Sequence, residues 1–183
     1  MATRRDSGAP RQPPTPPASY DDATSPSEWG GKPRIEVVPA TMAHVGRIVV
    51  RPGDAREIEA LGYSPAEALG RSIGRSLWAD AYLIDGEVAA ILGLALPSLT
   101  GRLASLWLVT GMPVDRHRKT FLRLCRARLA EVRRQWPLLV DYVHADYAEA
   151  HRWLRWLGFT IGPPEPYGQL GHLFCRASIG ESA

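Results

Sequence analysis

Apolar and polar positions along the 183-residue chain change period several times, and each change marks an element. Residues 34–40, RIEVVPA, predict a short strand. Two helix starts follow. Asp54-Ala55-Arg56-Glu57 fits a capping box, with Ile58 and Leu61 as the apolar face and Gly62 as the stop. Ser64-Pro65-Ala66-Glu67 repeats the device, with Pro at the first helical position and Leu69, Ile73 and Leu77 four residues apart. Asp85-Gly86 lies between AYLI and EVAAILGLAL and predicts a tight hairpin turn; LASLWLVT, 103–110, extends it to a three-strand meander. These runs are apolar almost throughout, as expected of a sheet covered on both faces.

From residue 116 the period becomes helical. Phe121, Cys125, Leu129, Val132 and Trp136 form one stripe, Arg123, Arg126, Arg133 and Arg134 fall elsewhere, and Pro137 ends the helix. LLVDYVHAD predicts a strand, residues 144–164 a short helix closed by Gly158-Phe159 and another strand, and HLFCRASI a last strand. A mixed α/β sheet in which helices enter late satisfies this order.

Composition adds a boundary. Residues 1–32 have no repeating apolar pattern and are rich in Pro, Ser, Thr and Gly, so they bury too little surface to offset their ordering entropy. They are expected to be an extended arm or a disordered tail, with Tyr20 and Trp29 as anchors if the arm lies along a partner. The folded domain is then expected over 33–180, with a short tail at 181–183. A formal net charge of +3 is too small to name a partner, and the basic residues are almost all Arg. Cys125 and Cys175 make neither a disulfide framework nor a metal quartet and are expected to be reduced thiols. No apolar stretch follows Arg4 and Arg5, so no secretory signal is expected, and no window is long enough to span a membrane.

Several groups could carry chemistry. Eight Lys and Arg lie between Arg116 and Arg134, with only Glu131 opposing them. This is a solvated helix face or a surface for a partner protein or nucleic acid. His144, Asp146 and His151 lack a fourth ligand nearby, so no metal site is expected. Trp153 and Trp156, three apart on a helix, are candidates for core or interface.

The run from Ala145 through Asp146, Tyr147, Ala148, Glu149 and Ala150 to Trp153-Leu154-Arg155-Trp156-Leu157-Gly158-Phe159 resembles the GNAT superfamily of CoA-dependent N-acetyltransferases, as does the element order over 34–179. The resemblance implies a mixed, mostly antiparallel sheet flanked by helices. It also implies three functional groups that this sequence departs from. Leu154 stands where the family often has a Tyr that protonates the CoA thiolate, and Tyr147 stands at the usual Asn position. In GMPVDRHRKTFLRL, Lys119 and Phe121 replace the glycine and small residue of the pyrophosphate loop, and Pro113 lacks an N–H. LASLWLVT holds no acid to serve as base, and Asp80, Asp85 and Glu87 are expected to be solvated. No catalytic residue is therefore assigned and no cofactor is expected. If acetyl-CoA does bind, the resemblance assigns Thr110, Arg116, His117, Arg118, Lys119 and Tyr147 to it.

Four further motifs resemble the GNAT-like internal virion or morphogenesis proteins of short-tailed phages. They are Arg51-x-x-Asp54-x-x-Glu57-Ile58, Ser64-Pro65-x-Glu67-Ala68-Leu69 with Ser72 and Ser76, Arg116-x-Arg118-x-x-Phe121-Leu122, and Trp153-Leu154-x-Trp156-Leu157-Gly158-Phe159-Thr160-Ile161. This narrower resemblance implies a catalytically silent structural or accessory part of the virion, located in the particle and, during assembly, in the host cytoplasm. Its expected partners are other virion or assembly proteins in symmetric copies. Tyr20, Trp29, Arg123, Arg126, Trp153 and Trp156 are the candidate contacts. The alternative is an acetyl-CoA-dependent N-acetyltransferase with a divergent pyrophosphate loop.

Overall fold

The computed structural model describes residues 32–97 and 103–180; Tyr20, Trp29 and the tail from residue 181 lie outside the described residues. The elements are β1 (Ile35–Pro39), α1 (Met42–Val45), α2 (Pro52–Ala60), α3 (Pro65–Arg75), β2 (Trp78–Ile84), β3 (Glu87–Ala95) and β4 (Leu103–Thr110), then α4 (Pro113–Arg116), α5 (Arg118–Gln135), β5 (Leu138–His144), α6 (Ala148–Leu157), β6 (Thr160–Tyr167) and β7 (His172–Ile179). The strands form one sheet in the order β1-β2-β3-β4-β5-β7-β6. The β4–β5 pair is parallel and every other neighbouring pair is antiparallel.

Alternation along β2 shows how both faces are covered. Ala81 and Leu83 pack with Val45 of α1 and Leu69 of α3, whereas Tyr82 and Ile84 pack with Val114 of α4 and Phe121 of α5. Farther along the second face, Leu129, Val132 and Leu154 of α5 and α6 meet Leu94, Leu139 and Val143. Each large side chain buried there contributes about 1.5–3 kcal/mol.

Local chemistry accounts for most element ends. At α3 the Ser64 hydroxyl accepts from the Glu67 N–H, and the Glu67 carboxylate accepts from the Ser64 N–H at 3.0 Å. The β2–β3 turn places Asp85 at φ 51° and Gly86 at φ 80°, the left-handed pair that a two-residue hairpin requires. Gly158, at φ 97°, closes α6. The edge strand β6 carries Pro163, Pro164 and Pro166, which lack the N–H that a further strand would need.

Three expectations need correction. Asp54 does not cap α2: Arg51 is the N-cap and Pro52 the first helical residue, so Asp54 lies inside the first turn with its carboxylate free to act elsewhere. The helix expected from residue 116 begins as a separate turn, α4, and breaks at His117 before α5. Asp80 is buried, and its carboxylate accepts from Arg128 at 2.7 Å while that guanidinium lies 4.4 Å over the Trp78 ring. Asp85 and Glu87 are exposed, as expected.

Candidate functional site: the cleft between β4 and β5

The parallel ladder is short. Leu103, Ala104 and Ser105 pair with Leu138, Leu139 and Val140, and beyond them the two strands part. The gap is a cavity of about 250 Å³ lined by β4, β5, α2, α4, the amino-terminal part of α5 and one side of α6. A smaller apolar cavity of about 50 Å³ continues beneath α5 and α6 and shares Phe121, Asp141, Trp153 and Leu154 with it.

Helix α2 spans the parted ends. The Asp54 carboxylate accepts from the Thr110 hydroxyl in a short bond and from the Thr110 N–H at 3.3 Å, at the last residue of β4. Three residues on, Glu57 accepts from the His144 N–H at 2.9 Å, at the last residue of β5. The i, i+3 spacing puts both carboxylates on one helix face, so one turn of α2 holds both strand ends. Asp141, on β5, lines both cavities and accepts from the Tyr142 N–H.

Burial favours the neutral form of all three acids. It raises Asp54 from its ordinary 3.8 to about 6, against the lowering effect of the Thr110 hydroxyl and Arg51. Glu57 rises from 4.5 to about 8 and Asp141 from 3.8 to about 7. Tyr147, the N-cap of α6, is also pushed upward by burial and by Asp54. Its phenol lies over Gly53, where a Cβ would come within 2.3 Å of the oxygen.

The mouth of the cleft is closed by ion pairs. Arg51 meets Asp115 at 2.9 Å and Glu149 at 3.2 Å, and Arg118 approaches Glu149 at 3.9 Å. Five carboxyl groups therefore line the cavity (Asp54, Glu57, Asp115, Asp141, Glu149) against the guanidinium groups of Arg51, Arg118 and Arg152.

The turn after β4 is where the fold family would hold a diphosphate, on free backbone N–H groups at a helix start. Within the turn itself those groups are used internally, whereas among the described residues the Arg118, Lys119 and Thr120 N–H groups that open α5 have no backbone partner. Gly111 donates to Ala89, Met112 to Val49, Val114 to Gly111, Asp115 to Met112 and His117 to Pro113, and Pro113 has no N–H. Phe121, buried and stacked 6.3 Å from Trp153, fills the position a small residue would leave open. Leu154, in place of the family's Tyr, is buried against the cavity and offers no proton. The turn from Gly111 to His117 thus presents no glycine cradle, and the cationic groups left near it are Arg118 and Lys119 at the start of α5.

The residues assigned to acetyl-CoA are dispersed. Thr110, Arg118 and Tyr147 line the cleft. Arg116 pairs with Glu87 at 2.6 Å and His117 lies 3.8 Å from Asp85, so both turn toward the β2–β3 hairpin. Lys119 is exposed. Of the candidate contacts, Trp153 is half-buried with its indole N–H unpartnered, while Trp156 is exposed beneath Arg126 at 4.5 Å. Arg123 is exposed. The acids of the cleft are not on β4, where a base is expected: Asp54 and Glu57 come from α2, Asp115 from α4, Asp141 from β5 and Glu149 from α6. Arg51-x-x-Asp54-x-x-Glu57 is the signal for the two on α2.

No family model matches the chain, and no curated protein does. Solved structures do match. A protein of assumed acetyltransferase activity aligns at TM-score 0.59 and 16% identity, covering 85% of this chain and 89% of its own. The assumed acetyltransferase yncA from Salmonella typhimurium, solved with its cofactor acetyl-CoA, aligns at 0.53 and 14%, covering 81% and 95%. RimL, the ribosomal L7/L12 α-N-protein acetyltransferase, in complex with coenzyme A, aligns at 0.53 and 12%, covering 81% and 96%. The split sheet, the element order and these alignments agree: the chain has the GNAT fold, the mixed α/β architecture of the N-acetyltransferases.

Proposed function

We propose that this chain is a structural or accessory component of a phage particle, built on a GNAT fold whose cleft does not carry acetyl-CoA. One observation carries the silent part of this reading: five N–H groups of the turn from Gly111 to His117 are bonded within the chain, Phe121 fills the start of α5, and the acids of Asp115 and Glu149 lie beside it. Two carboxylates at the mouth oppose a diphosphate, and the cation between them is already paired. The four motifs resembling virion proteins support the particle role. In this reading Asp54 and Glu57 brace the ends of β4 and β5 and are not proton carriers. The chain works with other virion or assembly proteins in several copies, in the virion and, during assembly, in the host cytoplasm. The arm of residues 1–32 would tether it, adding affinity at little cost per contact. Quantitative mass spectrometry of purified particles tests this. The chain should be recovered at a fixed ratio to the coat protein; its absence from particles, with the chain left in the lysate, contradicts the reading.

A second reading, an acetyl-CoA-dependent N-acetyltransferase with a divergent loop, is favoured by the open split between β4 and β5 and by Glu57 within it. A carboxyl raised to about 8 is matched to accepting a proton from an amine near neutral pH. Acetylation of an amine that disappears in Glu57→Gln would favour this reading over the first.

A further inference from the structure

We propose that the outer face of α5 and α6 binds the phosphate backbone of nucleic acid without reading sequence. The face adjoins the cleft at Arg152 and Trp156, but its row along α5 lies outside it. Lys119, Arg123, Arg126 and Arg133 are exposed, and their spacing puts them within an arc of about 80° on α5. They form a stripe about 21 Å long. Arg152 and Arg155 are exposed on α6, and Arg126 over Trp156 joins the two helices into one surface.

Every exposed charged residue of these two helices is cationic. An arginine-rich composition does not produce this. The chain holds 19 acids against 22 Lys and Arg, so an unselected face would carry both signs. Nor are the charges neutralised by neighbours: among the described residues Lys119, Arg123, Arg133, Arg152 and Arg155 form no ion pair. The small net charge therefore conceals a strong spatial asymmetry.

The chemistry of the face selects the partner. Guanidinium groups match phosphate oxygens in a two-pronged geometry, and a straight row of them follows a repeating backbone charge. Trp156, 43% exposed at the edge of the row, adds a flat ring on which a base can stack. A membrane surface would ask for a row of exposed apolar side chains, and Trp156 is the only large one exposed on these helices.

The test uses the full chain and fluorescence anisotropy with labelled oligonucleotides of arbitrary sequence, about 20 nucleotides long, single-stranded and duplex. Contact with about six phosphates sets a slope of log affinity on log salt near −4 for single strands and −5 for duplex. Raising salt from about 50 to 200 mM should then weaken binding by about two to three powers of ten. Reversing Arg123→Glu, Arg126→Glu and Arg133→Glu together, at exposed positions and with circular dichroism confirming the fold, should cost at least about 100-fold. Binding to either probe with that slope, lost in the triple variant, supports the proposal. No binding at low salt, equal binding by a folded triple variant, or equally tight binding to poly-glutamate overturns it.

Discussion

Asp80, buried in the closed half of the sheet, and Glu57, half-buried at its opening, are both shifted toward the neutral form by burial, but only Asp80 has a guanidinium to oppose the shift. Asp80 lies where β2, β3 and β4 are continuously paired, and it meets a buried guanidinium, Arg128, at 2.7 Å. Glu57 lies where β4 and β5 part, and it meets only a backbone N–H. Its carboxyl, like those of Asp54 and Asp141, is therefore shifted toward the neutral form. The closed half buries a charge pair. Among the described residues the open half has no guanidinium bonded to Glu57 or Asp141, and Arg51 is held at the mouth by Asp115 and Glu149.

The largest expected effect comes from breaking the closed half. Asp80→Ala leaves Arg128 buried with only the half-buried Glu131 carboxylate, 3.1 Å away, and should destabilise the fold by about 2–4 kcal/mol, read from urea denaturation. A loss below about 1 kcal/mol would mean that Asp80 and Glu57 do not differ as described.

Next in size is steric pressure in the open half. Gly53→Ala drives a methyl group into the Tyr147 phenol and should cost about 1–3 kcal/mol. Adding Tyr147→Ala should make the double variant less destabilised than the sum of the two changes, because the clash is removed.

A smaller effect, with a definite sign, comes from pH. Glu57 has a folded pKa above its unfolded value, so its contribution is fully present below about 4.5 and is lost as pH rises through about 8. Asp54 and Asp141 act in the same direction, up to about 6 and about 7. Stability should fall between pH 4.5 and 8, and Glu57→Gln should reduce that fall by about 1–2 kcal/mol in paired melts. Identical pH profiles would place Glu57 in water. The smallest effect belongs to the surface: Arg126→Ala removes the cation over Trp156 and should cost about 0.5–1 kcal/mol in the same melts.

What was legible in the sequence follows the range of the interactions involved. The hairpin at Asp85-Gly86, the cap at Ser64 and the closure at Gly158 depend on residues within a few positions of each other, and each formed as read. Asp54 was misread because Pro52 starts α2 earlier, and the carboxylate so released finds a partner 56 residues away at Thr110. Glu57 reaches 87 residues ahead to His144, and no local pattern encodes that distance. Asp80 was read as solvated because its partner, Arg128, lies 48 residues later on another element. The fate of Arg116 was hidden for the same reason: its charge is legible, but the Glu87 carboxylate that draws it away is 29 residues earlier.

The central claim is that the turn from Gly111 to His117 offers no seat for a diphosphate. Calorimetric titration of the full chain with coenzyme A near neutral pH tests it most directly. No saturable heat is expected up to about millimolar ligand, a binding free energy weaker than about −4 kcal/mol. A saturable isotherm with a micromolar Kd, lost in Arg118→Glu, would contradict it.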